Sequence, residues 1–246
     1  MVEGGLEILI LACNLIDGLI MTKSSFIINA LALAILTPCL LSFSDDCPQN
    51  INLLPMYGQV KKCTVQLKAD SAFLKECEEN FIDRSEASKY YVGKGWSYFN
   101  KKMPDSAMMR FNQAWLLDSL NADVYWGFGN LTGMKKKYAA SLPLFNRSVQ
   151  LDPTNARVWE GMAASQLSLY EQGGSSASLH NGIQSLKKSV KLDPENPRVY
   201  AQLTTAYCLA RQKDSAAKYL ILTDRLDKNA ISPKVRKLLS GHTGIK

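Results

Sequence analysis

The chain has 246 residues, 46% hydrophobic and 21% charged, with a formal net charge of +7. That suits an ordinary globular unit with a sizeable core. The lysines are scattered, the longest run (Lys135–Lys137) falls at a turn, and no RNP, zinc-knuckle or basic-helix pattern occurs, so nucleic acid is not an expected partner. Six cysteines lack the spacing of a zinc or thioredoxin-like site and there are only two histidines, so no metal or cofactor is expected.

Residues 1–20 mix Glu3, Glu7, Asn14 and Asp17 with apolar side chains, which suits neither a signal nor a span. They read as an extension upstream of a true start at Met21. Lys23 then precedes an apolar run over 26–43, and Asp45 and Asp46 follow it. A basic start, an apolar run and small residues (Ser42 and Ser44) before a cut describe a signal peptide over 21–44. The same run reaches the lower edge of a bilayer span, so a retained membrane anchor is the alternative. Cys39, after Leu36-Thr37-Pro38, and Cys13, after Leu11-Ala12, are weak lipidation motifs. The expected location is exported: periplasmic, envelope or secreted.

Export would permit disulfides among Cys47, Cys63, Cys77 and Cys208. One helix carrying both Cys63 and Cys77 would hold them about 21 Å apart, too far to pair. Cys47 could reach either, and Cys208 reads as a small buried residue.

Residues 45–63 read as an extended lead-in whose Leu53–Tyr57 stretch can tuck against the fold. Residues 64–85 read as a capping helix (Thr64 to Ile82) with a stripe of Leu67, Phe73, Leu74, Cys77 and Phe81. From 86 to 229 the sequence overlays on itself with a period of 34, pairing Gly95 with Gly129, Phe111 with Phe145, and Tyr91 with Tyr125. Such a period marks stacked units that cannot bury their apolar faces alone. The units are 86–121, 122–155, 156–196 and 197–229.

Each unit reads as two helices, A and B. The first has helix A over Glu86–Asn100, a turn at Pro104-Asp105 with Asp105 as N-cap, and helix B over Ser106–Leu117. Asp-Pro-x-Asn at 152–155 and 193–196 stops one helix and offers Asn155 or Asn196 to cap the next. With Gly95 numbered position 8, positions 8, 20 and 27 are all small. They are Gly95, Ala107, Ala114; Gly129, Ser141, Ser148; Ala163, Gly182, Ser189; and Thr204, Ala216, Thr223. Two closely crossing helices need such residues. Position 4 is aromatic (Tyr91, Tyr125, Trp159, Tyr200), and position 24 is large and apolar (Phe111, Phe145, Leu186, Leu220).

The third unit carries seven extra residues around Gly173-Gly174-Ser175-Ser176, a composition that predicts a longer, flexible loop holding His180. Residues 230–246 read as a C-terminal capping helix and tail. Ser232-Pro233 begins it, Val235, Leu238 and Leu239 share one face, Lys234, Arg236 and Lys237 lie mostly on the other, and Gly241 ends it.

These positions together resemble the tetratricopeptide repeat (TPR), a 34-residue helical hairpin with aromatic, Leu-Gly, Tyr, Ala, Phe, Ala and Pro at set places. Departures are Lys94 for Leu, Ser119 for Pro and Lys228 for the last Pro. The resemblance implies an all-α TPR helical-hairpin solenoid, a right-handed superhelix, with helix A residues lining a concave groove. Carried over to this chain, the groove includes Lys89, Trp96, Phe99, Asp123, Trp126, Asn130, Met134, Arg157, Glu160 and Arg198. Lys89, Trp96, Trp126, Asn130, Arg157, Glu160 and Arg198 are the expected partner-binding residues. The family's carboxylate clamp is incomplete, because position 6 is Gly93, Gly127, Gly161 and Gln202 and no Lys stands at position 5.

The function so implied is a non-catalytic scaffold binding a protein or peptide, with a membrane-tethered assembly factor as the alternative if 26–43 are retained. A hydrolase-type enzyme is disfavoured, since neither His180 nor His242 has a Ser, Cys or carboxylate at motif spacing and there is no Gly-rich phosphate loop.

Overall fold

The computed structural model describes residues 47–243. The expected upstream extension, the signal or anchor segment, its cleavage site, and Cys13 and Cys39 lie outside the described residues. Among the described residues, two short 3-10 turns (Ile51–Leu53 and Pro55–Gln59) lead into ten α-helices. These are α1 (Thr64–Asn80), α2 (Arg84–Asn100), α3 (Pro104–Leu117), α4 (Ala122–Met134) and α5 (Tyr138–Leu151), followed by α6 (Ala156–Glu171), α7 (Ser176–Leu192), α8 (Pro197–Leu209), α9 (Lys213–Leu226) and α10 (Pro233–Thr243). Helices α2 to α9 form four consecutive A–B hairpins. No described helix is long and apolar enough to cross a membrane.

The twelve small positions are all buried. The reason is visible around two phenylalanines. A Cβ on Gly95 would stand 2.6 Å from the Phe111 ring, and one on Gly127 would stand 2.5 Å from it. Phe111 is thus wedged between helix A of its own unit and helix A of the next. Phe145 repeats this between Gly129 and Gly161, at 2.8 and 2.9 Å. Both rings are essentially fully buried.

Small hydroxyls at the crossings close a backbone gap as well. Ser148 donates to the Ala122 carbonyl (2.8 Å) and Ser189 to that of Ala156 (2.9 Å), tying helix B to the first residue of helix A. In the first unit, where position 27 is Ala114, the tie is reversed: Ser88 on helix A donates to the Ala114 carbonyl at 3.0 Å.

Every helix A ends the same way. The residue after the C-cap is left-handed and donates three residues back, and the next donates five back, the Schellman arrangement. In the first unit these bonds run from Lys102 to the Phe99 carbonyl and from Met103 to that of Tyr98, both 3.0 Å. The left-handed residues are Lys102, Lys136, Gly173 and Arg211. Asn121, Asn155 and Asn196 cap α4, α6 and α8 by accepting from the amide two residues on. Asp105, by contrast, is not an N-cap. Pro104 takes the first helical position of α3 and Asp105 falls within its first turn, because proline's fixed φ suits that place and its missing N–H costs nothing there.

The insertion in the third unit is no long loop. Helix A has 16 residues against 13 in α4 and α8, and helix B has 17 against 14 in α5 and α9. Three residues extend each helix by close to one turn and one enters the connection, leaving the crossing in register. Gly173 supplies the left-handed turn, and His180, expected in a flexible segment, is an exposed helical residue of α7.

The stack is covered at both ends. Phe73, Leu74 and Cys77 of α1, with Phe81 just after it, pack on Ala87, Tyr91 and Leu117. Leu67, expected in the same stripe, is 53% exposed, since α1 leans away from the first hairpin at its N-terminal end. The lead-in is less extended than its sequence suggests: Cys47 bonds to Cys63, leaving Cys77 buried and free, and Cys208 is only half-buried. At the other end Val235 and Leu239 pack against the core of the fourth unit. Arg236 forks onto Asp224 of α9, at 2.5 and 2.8 Å. Gly241, expected to terminate this helix, lies inside it.

Candidate functional site

Helix α2 packs directly on α4, and α4 on α6, whereas successive B helices make no comparable contact among the described residues. Closer spacing along α2, α4 and α6 than along the B helices beside them puts these A helices on the inner side of the bend. The face they present there is the candidate site.

Trp96 on α2 and Trp126 on α4 meet on this face, with ring centroids 4.1 Å apart. Trp96 also meets Phe99 and Phe111 edge-on at 5.2 and 5.3 Å. Trp126 extends the contact to the cluster of Phe145, Val158 and Met162. Both indoles are half-buried. They fill the space between neighbouring A helices with one side and face the groove with the other. Asn130 is held beside them by donating to the Trp126 carbonyl at 2.8 Å.

No protein-family model and no curated protein sequence matches the chain. Solved structures do. PilF of Pseudomonas aeruginosa is similar at 22% identity with a TM-score of 0.54, over 64% of this chain and 68% of that one. TTC0263, a thermophilic TPR protein of Thermus thermophilus, is similar at 16% identity and a TM-score of 0.52, over 63% and 80%. YrrB, a TPR protein with an unusual peptide-binding site, is similar at 17% identity and a TM-score of 0.50, over 71% and 82%. At these identities the likeness is one of fold. The chain folds as a TPR protein.

Within this TPR stack the expected partner-binding residues divide into two sets. Glu160 is 7% exposed, and its carboxylate accepts from Arg198 Nε at 2.6 Å and from Gln202 Nε2 at 3.1 Å. These side chains brace α6 against α8. Position 6, glycine in the preceding units, is here Gln202, and the two A helices are held apart by side chains rather than brought into backbone contact. Gln202 therefore belongs to the site, and the sequence signal for it is the break in the glycine series.

Lys89 and Arg157 are exposed on the same inner face, as are Asp123 and Met134. Although Asp123 is open to water, partial desolvation by the chain packed around it, reinforced by nearby Asp152, raises its carboxyl, while a hydrogen bond from Asn155 at 3.4 Å opposes the shift. Among the described residues no group of His, Cys, Asp and Glu could hold a metal ion. The face offers an aromatic floor and a mixed-charge rim.

Proposed function

We propose that the protein is a non-catalytic interaction scaffold that seats a peptide or helix of a partner protein along the inner face of its A helices. The observation that carries this reading is the Trp96–Trp126 pair where the first two A helices meet on that face, with exposed Lys89, Asp123, Met134 and Arg157 along it. Half-buried aromatics presented by rigid helices are the usual anchors of such interfaces. YrrB, similar in fold, is described as having a peptide-binding site, which supports a peptide as the ligand class.

We place this scaffold in an exported, oxidising location. The Cys47–Cys63 disulfide supports that assignment, since such bonds persist outside the reducing cytosol. Tethering through residues 26–43 would add a membrane to its surroundings without changing the groove.

Because the tryptophans also separate neighbouring helices, deleting them would confound folding with binding. The better test places a photo-crosslinking amino acid at Met134, on the inner face, or at Lys191, exposed on α7 of the outer row. After irradiation in an envelope extract, adducts should form from position 134 and not from 191. Adducts from position 191 alone would overturn the groove assignment.

A further inference from the structure

A second cavity lies away from the groove. Helix α1 rests on the first hairpin at one end and leans from it at the other, leaving a wedge between α1 and α3 that the lead-in spans. The wedge encloses roughly 280 Å³. Its floor is apolar, from Ile51, Phe73 and Leu116, and its polar rim includes Gln66, Arg110 and Gln113.

The charges in it do not cancel. Lys62 is paired with Asp70 at 2.6 Å and lies over the Tyr57 ring, 3.3 Å from its centroid. Arg110 has no carboxylate partner among the described residues; it donates to Gln113 Oε1 at 2.7 Å and sits 5.9 Å from the Tyr98 ring. The pocket therefore carries one uncompensated guanidinium, a planar fork that matches a carboxylate. Burial pushes the Tyr57 phenol up, with Asp70 adding to the shift, so the wall of the pocket stays neutral and leaves that positive charge in place.

The wall is also held in an expensive conformation. Met56, Tyr57 and Gln59 are all left-handed, with φ of 53, 54 and 53°. Each costs a non-glycine residue on the order of 1–2 kcal/mol. Two devices oppose that cost. Asn112, fully buried on α3, accepts from the Tyr57 amide at 3.2 Å and donates to the Asn52 and Leu54 carbonyls, both at 2.9 Å. The Cys47–Cys63 disulfide pins the far end of the segment beside α1. A strained segment held by such connections over an open, charged wedge is the pattern of a preorganised site.

We propose that this wedge binds a small ligand carrying one carboxylate on a compact apolar body, with Arg110 receiving the carboxylate and the Ile51–Phe73–Leu116 floor the apolar part. A free acid and the C-terminal residue of a peptide share this chemistry. The cavity lies just below the usual size range for ligand pockets, which fits a group of about one amino-acid residue.

The test is calorimetric titration of the full chain with N-acetyl-leucine and with N-acetyl-leucinamide, which differs by lacking the charge. The acid should bind and the amide should bind at least about tenfold more weakly. Arg110→Gln, checked for unchanged helicity and melting, should weaken the acid by a similar factor, and Arg110→Lys, which keeps the charge but loses the fork, by less. A short peptide ending in leucine then separates the sources: tighter binding than N-acetyl-leucine assigns a chain end, equal binding a free acid. Equal binding of acid and amide, no binding of either at millimolar concentration, or full affinity in a folded Arg110→Gln protein would overturn the proposal.

Discussion

Arg198 on α8 closes on Glu160 of α6 with Nε 2.6 Å from the carboxylate, yet the two are unequally placed: the Glu160 side chain is buried and that of Arg198 is 67% exposed. The pair is therefore asymmetric in what its loss costs. Arg198→Ala leaves a buried carboxylate with Gln202 as its remaining donor, and is expected to cost about 1–2 kcal/mol. Glu160→Gln leaves an arginine already in water and should cost below about 1 kcal/mol. Urea unfolding of both variants checks the order; equal costs would show that the unequal burial of the two partners does not govern the pair.

The glycines at position 6 make a sharper contrast. A Cβ at Gly127 would meet Phe111 at 2.5 Å, whereas one at Gly93, the same position a unit earlier, meets nothing within 4 Å. Gly127→Ala should destabilise by about 1–3 kcal/mol through overpacking around a ring that has nowhere to go. Gly93→Ala should stabilise by about 0.5–1 kcal/mol, as expected for an exposed site inside a helix. Opposite signs in thermal melts are the expected result.

Three of the four Schellman turns place a non-glycine residue in the left-handed region: Lys102, Lys136 and Arg211. Lys136→Gly removes that conformational cost while adding backbone entropy to the unfolded chain, for an expected net gain of about 0.5–1 kcal/mol. The melting temperature should rise, with the same direction for Lys102→Gly.

Asn112 holds the lead-in through three hydrogen bonds, all to backbone groups. Asn112→Ala strands the Tyr57 amide and two carbonyls in a buried place, and should cost about 2–4 kcal/mol. The loss should be local. Hydrogen exchange is expected to speed up at Tyr57 while the amides of α6 to α9 keep their protection.

Docking of α10 should depend on pH. The hydrogen bond from Arg236 lowers the Asp224 carboxyl below its usual 3.8, against a smaller opposing effect of burial. A depressed folded-state pKa means that the unfolded chain binds the proton more readily. The stabilisation is therefore fully present above the unfolded value and is lost as pH falls through the folded one. Exchange protection in α10 should fall on acidification below about pH 4. Asp224→Asn should flatten that profile and lower the plateau.

The lattice of small residues and the aromatic of each unit were legible in sequence because they answer a local demand, repeated at a fixed interval: two helices cannot cross closely over a bulky side chain. Asn155 and Asn196 were legible for a similar reason, since a cap acts on amides two residues away. That Glu160 and Arg198 would occupy each other was not legible. Both sit at groove positions of the repeat, and their pairing depends on how far apart α6 and α8 stand.

By itself, then, the chain's order of residues determined the hairpin unit and its number of copies. Tertiary structure alone decided that seven extra residues would lengthen two helices instead of loosening a loop. It also decided that Cys47 would meet Cys63, and that a charged wedge would stay open beneath the lead-in. The physical reason is range. The repeat is specified by contacts within a hairpin and its neighbour, whereas the wedge exists because Asn112, the disulfide and a tilted α1 hold distant segments at a separation that no periodicity encodes.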